Sequence, residues 1–198
     1  MDKKTIAAIL LQTYPFLKPL DINQLIQIGD HQVYKNKAVI ISAQTTSKKI
    51  FFLLSGMVRG YFINRKGEEK NIFLRPEHTI TGAPDSLFNN QPSKYTFESI
   101  LESHLFLFHY DELLQVSRQF PNINQLLIVG LQENIQTLIF RVESLIDKLP
   151  EERYEELLER SPQFFQTAFN KHIANYLGIT PNSLSRIVKR RKENHHNT

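Results

Sequence analysis

"IANYLGITPNSLSRIVKRRKENHHNT", residues 173–198, decides how this chain is to be read. Ala174 lies four residues before Gly178, and Ile173, Leu177, Ile179, Leu184 and Ile187 stand where two short helices would close over one another. Ala permits close helix contact and Gly permits the tight turn between them. Thr180 can cap the second helix, and Pro181 suits its first position. These features together predict a helix-turn-helix. The second helix then sorts its residues into two sides. Leu184, Ile187 and Val188 share one, and Asn182, Ser185, Arg186, Lys189 and Arg190 follow at i, i+3, i+4, i+7 and i+8 on the other. That polar side is all donor. A solvated face ordinarily mixes charge signs, whereas a face meant for a DNA groove wants Arg for guanine edges, Asn for adenine or phosphate, and Ser or Lys for backbone oxygens.

The charge balance points the same way. Of 24 Lys and Arg residues, five fall between Arg186 and Lys192, although the formal net charge of the whole chain is only +4. Basicity is therefore local to the last segment, as in an electrostatic footprint for a polyanion; a solvated cationic tail is the alternative reading. Thr180, Asn182, Ser183, Ser185, Arg186, Lys189 and Arg190 are the candidate DNA-binding residues. There is no Cys, which excludes disulfides, iron–sulfur clusters and thiolate metal sites. The opening "MDKKTIAAILLQTYPFLKPL" has a short apolar stretch interrupted by Gln12, Tyr14 and Pro15, which fits neither a signal peptide nor a membrane span. A cytoplasmic setting without membrane contact is expected.

Upstream, the texture changes twice. Between Thr5 and Ile28 helical apolar spacing broken by Pro15 and Pro19 predicts two short helices. From Val33 to Phe108, short runs such as "KIFFLLSG", "MVRGYFIN" and "HLFLF", punctuated by Gly56, Gly67, Pro76, Gly82 and Pro84, predict a β-roll or barrel. After Pro121 one apolar line, Leu127, Leu131, Leu138, Val142, Leu145 and Leu149, and a second, Ile128, Ile135, Ile139 and Ile146, predict a long helix. One line can pack on the β domain while the other meets a partner. Leu127, Leu131, Leu138, Val142 and Leu145 are the candidate dimer interface, and Ile135 and Ile139 could serve instead. An internal core helix of a monomer is the rival reading. Pro150 then opens a shorter acidic helix, "EERYEELLER", which Ser161 and Pro162 end.

This order of parts resembles the Crp/Fnr family of bacterial regulators over nearly the whole chain. "IANYLGITPNSLSRIVK" is similar to the family's DNA-binding signature at almost every apolar and Gly position. The resemblance implies an α+β chain: an N-terminal cyclic-nucleotide-binding-like β-roll, or jelly roll, over residues 1–120, a long dimerisation helix over 121–149, and a helix-turn-helix domain over 150–198. It also implies a homodimer, a two-fold DNA site, contact with RNA polymerase, and Ser185 and Arg186 as the pair used at DNA. Asn182 stands where the family usually has an acid, so the base preference is open. "TITGAPDSLFNNQPSKYTFESILESHLFLF" lines up with the phosphate-binding cassette. Members that bind cyclic AMP carry a Gly-Glu pair and an Arg followed by Ser or Thr; here Ala83 and Pro84 follow Gly82, and Ser93 takes the Arg position. Asp85 and Lys94 could stand in, but an ammonium replaces a bidentate guanidinium fork with a single point. Cyclic AMP is therefore not the expected ligand. No cofactor is assigned, and a small anionic effector is possible at a pocket of Gly82, Ala83, Asp85, Ser93, Lys94 and Tyr95. Beyond the recognition helix only "KENHHNT" remains in place of the β-hairpin wing many relatives carry.

Other functions fit less well. His104 and His109 are five apart and would point to opposite faces of a strand, so no metal pair is signalled. A cupin-like enzyme needs a His-x-His cluster, whereas "EHT" and "DHQ" offer single His residues; no catalytic residue is assigned. A ligand-sensing or protein-interaction module with a vestigial helix-turn-helix remains the alternative to a DNA-binding regulator.

Overall fold

The computed structural model describes residues 1–167 and 169–196. Two helices lead in, α1 (Lys3–Thr13) and α2 (Pro19–Ile28). Asp2 caps the first by accepting Thr5 N–H at 2.8 Å, and Pro19 opens the second at a position where a missing N–H costs nothing. Their buried residues, Ile6, Leu10, Ile22 and Leu25, join Phe52, Phe106 and Phe108 in one core cluster.

Eight strands follow: β1 (Asp30–Tyr34), β2 (Val39–Ile41), β3 (Lys49–Ser55), β4 (Met57–Ile63), β5 (Glu69–Pro76), β6 (Ile80–Gly82), β7 (Thr96–Ser99) and β8 (Ser103–His109). They form two four-stranded sheets, ordered β1-β8-β3-β6 and β2-β7-β4-β5, with antiparallel pairing throughout. This is the expected β-roll. Phe51, Leu53, Val58, Phe73, Phe97 and Leu105 fill the space between the sheets, and Phe73 stacks on Phe97 with ring centroids 5.7 Å apart. Gly56, at φ +97°, lets the chain turn from β3 into β4 hard against the Ser103 backbone, where a Cβ would sit 2.7 Å from Ser103 Cα. A short helix, α3 (Pro84–Asn89), interrupts the run between β6 and β7. Another, α4 (Tyr110–Ser117), follows β8.

The long helix α5 spans Pro121–Asp147, so Leu149 falls just beyond it rather than inside. Gly130 sets its rotation: a Cβ there would lie 2.0 Å from Ile80 Cγ2, so this side of the helix is pressed onto β6. Ile123, Leu126, Gly130 and Ser144 are buried along that side. The acidic helix α6 (Pro150–Arg160), the short α7 (Gln163–Thr167), α8 (Asn170–Tyr176) and α9 (Pro181–His196) complete the chain. A second core joins Tyr154, Leu157, Phe164, Ile173, Leu177, Leu184 and Ile187 to Met57 and Leu74 of the β-roll, so the terminal helices are packed onto the β-roll sheets.

Candidate nucleic-acid interface and β-roll cleft

The helix-turn-helix forms as its sequence dictates. Gly178 holds φ at +73° in the turn between α8 and α9, where a Cβ would press on Leu145 of α5 at 3.3 Å. Thr180 Oγ1 accepts Ser183 N–H at 3.1 Å, capping α9 ahead of Pro181. Leu184 and Ile187 are buried and Val188 is half-buried, which turns Asn182, Ser185, Arg186 and Lys189 outward. Ser183 is half-buried and holds Thr180 Oγ1 at 2.9 Å, while Arg186 reaches back to Ser183 Oγ at 3.4 Å. Ser185 Oγ donates to Pro181 C=O at 3.0 Å.

The basic residues further along divide in a way the linear sequence does not reveal. Arg190 donates to Glu151, and Arg191 pairs with Glu155 at 3.1 Å, both acids lying on α6. Among the described residues Lys189 has only the weak i,i+4 neighbour Glu193 at 3.9 Å. Arg190 therefore stands apart from the outward set of Asn182, Ser185, Arg186 and Lys189, and engages the acidic helix in this conformation. The helical backbone of α9 runs on to His196 through most of the segment expected to replace a wing; Asn197 and Thr198 lie outside the described residues.

A polar junction that the sequence reading missed fastens α8 to the edge strand β5. Asn71 N–H donates to Asn175 Oδ1 at 2.6 Å, and Asn175 Nδ2 donates to Glu69 C=O at 2.7 Å, so one side-chain amide closes two edge groups of the sheet. Asn71 Nδ2 returns a bond to His172 C=O at 3.1 Å. Arg59, buried beneath, donates to Glu69 at 2.6 Å, to Glu98 at 2.9 Å and to Asn71 at 3.3 Å. Arg141 of α5 donates to Ile72 C=O and to Tyr176 C=O, each at 2.9 Å, and lies over the Tyr176 ring. His172 is buried in this junction. Burial, with the Arg59 and Lys171 charges beside it, pushes its imidazole down to about 4, so it stands neutral.

Of the six expected effector-pocket residues, Asp85 pairs with Lys94 and Ser93 with Tyr95, so their polar groups are already engaged. Asp85 accepts Lys94 N–H at 3.2 Å and faces Lys94 Nζ at 3.8 Å. Ser93 is fully buried: its hydroxyl donates to Tyr95 C=O at 2.8 Å, its N–H donates to Thr45 C=O at 3.0 Å, and its carbonyl accepts Gln44 N–H at 2.8 Å. The Tyr95 ring packs against Phe73 and Phe62, and Ala83 is buried in the β-roll core. The open space lies elsewhere. A cleft of about 410 Å³ separates β6 and α3 from α5; of the six, only Gly82 lines it.

On α5 the five candidate interface residues divide. Leu127 packs on the lead-in core and Leu138 on the β-roll core, both half-buried, whereas Leu131, Val142 and Leu145 are exposed. Exposed with them are Ile128, Ile135, Ile139 and Ile146, so the free apolar line draws on both lines of the sequence. Elsewhere, His104 meets an unforeseen neighbour across β1 and β8: His31 Nε2 lies 3.1 Å from His104 Nδ1. Among the described residues no group of three metal-ligating side chains converges, and no helix is long and apolar enough to cross a membrane.

Residues 31–120 match the family model described as a cyclic nucleotide-binding domain. No curated protein matches the chain. Solved structures do. FixK2 from Bradyrhizobium japonicum superposes with a TM-score of 0.74 at 15% identity, covering 85% of this chain and 86% of its own. A variant of CooA from Carboxydothermus hydrogenoformans gives 0.68 at 17% identity, covering 84% and 78%. A transcriptional regulator assigned to the Crp/Fnr family from Eubacterium rectale gives 0.67 at 14% identity, covering 92% and 88%. At these identities the likeness is one of fold.

Proposed function

We propose that this chain, which has the fold of the Crp/Fnr regulators with a cyclic nucleotide-binding domain over residues 31–120, works as a homodimeric transcription regulator. In this reading it engages a two-fold DNA site through α9 and answers to an effector other than cyclic AMP at its β-roll. The outward face of α9 carries the proposal. Asn182, Ser185, Arg186 and Lys189 project from one side of a capped helix whose opposite side is packed. Such a face offers Arg186 for a guanine edge, Asn182 for adenine or phosphate, and Ser185 and Lys189 for the backbone. Thr180, Ser183 and Arg190 support it from the cap and from the α6 side.

The exposed apolar line of α5 favours a dimer, because a self-complementary helix seam generates a two-fold axis. A dimer presents two recognition helices about 34 Å apart, one turn of DNA. The closed hydrogen bonding of Ser93, Asp85 and Lys94 supports the exclusion of cyclic AMP, as does the lack of a Glu after Gly82. A cytoplasmic location and contact with RNA polymerase belong to the same reading, and no catalytic activity is assigned. One observation favours the rival, a sensing module that has lost its DNA affinity: Arg190 and Arg191 are engaged by α6. Selection of bound duplexes from a random-sequence pool separates the two. A regulator enriches a two-fold motif with half-sites about ten base pairs apart; recovery of unenriched sequence refutes the reading.

A further inference from the structure

We propose that the cleft between β6, α3 and α5 binds an effector with an apolar body and a single carboxylate head, a medium-chain or aromatic carboxylic acid. This rests on the reading of the chain as an effector-controlled regulator and names the chemistry of its effector. The volume of about 410 Å³ lies in the range of small-molecule sites. Ile50, Ile80 and Leu87 form its buried wall, with Leu127 and Leu138 of α5 facing them. A partner helix lying along the exposed Ile128, Leu131 and Ile135 would cover the mouth without reaching that wall. No lining residue carries a charge, so the ribose and cyclic phosphate of a nucleotide would be pressed against aliphatic groups.

One place in the cleft departs from this apolar character. Thr81 and Asn134 line it, and Arg75 stands directly behind them. Arg75 lies one strand residue beyond Leu74 from Phe73, a lining residue, and its guanidinium sits 5.1 Å from the Phe73 ring centre. It is 4% exposed. Its Nη2 donates to Asn134 Oδ1 at 2.5 Å, but Nε has no hydrogen-bond partner, and among the described residues no carboxylate lies within ion-pair distance. Glu133 and Tyr176 act on it only through space. Asn134 has no capacity left to help: its Nδ2 donates to Ile80 C=O at 2.9 Å and Gly130 C=O at 2.6 Å, and its Oδ1 also accepts the Thr81 hydroxyl at 3.4 Å.

A buried cation with no carboxylate in contact is held at a cost that an incoming anion relieves. A carboxylate entering beside Thr81 supplies that charge, while the aliphatic wall takes the tail. Occupancy would also be felt at α8, because β5 carries Phe73 in the cleft lining, Arg75 behind it, and Glu69 and Asn71 at the α8 junction.

The test is calorimetric titration of the full chain with decanoate, decan-1-ol and cyclic AMP, alongside sedimentation with and without decanoate. Decanoate is expected to bind in the micromolar range and decan-1-ol at least about tenfold more weakly, with the assembly state unchanged and cyclic AMP silent. Arg75→Met should bring decanoate down to the affinity of decan-1-ol. Should that variant misfold by circular dichroism, Leu114→Trp, which adds bulk to the cleft lining, must weaken both ligands in the otherwise native protein. Equal binding of acid and alcohol, absence of decanoate binding, or binding that dissociates the dimer each overturns the proposal; the last would assign the cleft to the partner helix. DNA binding by the same preparation is scored separately. Intact DNA binding without decanoate binding rejects this ligand class alone, and decanoate binding without DNA binding rejects the regulator reading.

Discussion

Ile139→Ala should weaken self-association sharply while leaving the folded monomer almost untouched. Ile139 sits in the C-terminal half of α5 with 52% of its surface free in the single chain, next to Ile135 and Val142 on the same open line. The substitution removes three carbons. At about 0.8 kcal/mol per buried methylene, with roughly half of the side chain available to a partner, the loss is about 1.2 kcal/mol per protomer. A two-fold seam contains the residue twice, so the dimer loses about 2.4 kcal/mol, or about 60-fold in dissociation constant. Sedimentation equilibrium over a dilution series measures it. Leu138→Ala is the matched control: Leu138 packs on the β-roll core, so its truncation should lower the melting temperature and leave the dimer constant nearly unchanged. If the two variants exchange these effects, or Ile139→Ala leaves association intact, the assignment of the open line as the interface is wrong.

Two further outcomes concern the junctions around α8 and α9, and a third concerns the β-roll. Glu151→Gln with Glu155→Gln should release Arg190 and Arg191, raising affinity for random-sequence duplex at low salt while costing the domain no more than about 1 kcal/mol per exposed pair; fluorescence anisotropy and thermal melts read the two effects. His172 is held near 4 in the folded chain against about 6.5 when unfolded, so the unfolded state takes up the proton first as pH falls. Its contribution is complete above about pH 6.5 and lost towards pH 4, a fall of about 2 to 3 kcal/mol, which His172→Gln should flatten in melts across that window. Cyclic AMP at tens of micromolar should move neither the melting temperature nor DNA affinity; a low-micromolar calorimetric constant would reopen the cassette as a nucleotide site.

Local chemistry makes much of the fold legible in the sequence. Pro15 and Pro19 mark the break between the two lead-in helices, Pro121 and Pro150 stand at helix starts, and Gly178 with Thr180 and Pro181 spells the turn of the helix-turn-helix. What stayed hidden depends on long-range packing. Asn175 and Asn71 lie 104 residues apart, and nothing in the neighbourhood of either points to the other. Glu151 and Glu155 reach Arg190 and Arg191 only because α6 folds against α9. The seam of α5 was ambiguous because both apolar lines obey the helical period. One residue could have resolved it: Gly130, which weakens a helix interior without a packing reason, marks the side pressed on Ile80, and Ile128, Ile135, Ile139 and Ile146 lie opposite. The cassette carries charged stand-ins in Asp85 and Lys94, yet these two face each other, and the open space lies against α5.

The reading of α9 as a reader of sequence is tested most directly by the anisotropy of Arg186→Ala on a selected duplex and on its scrambled counterpart. Arg186 projects from the outward face beside Asn182 and Ser185 with only a weak bond to Ser183 to hold it. The substitution should cost about 1 to 3 kcal/mol, a loss of about five- to 150-fold, on the selected site and almost nothing on the scrambled one. Lys189→Ala should weaken both equally and lower the salt slope by about one. Equal losses on both duplexes for Arg186→Ala would mean that the helix meets DNA only as a charged arm, contradicting the account.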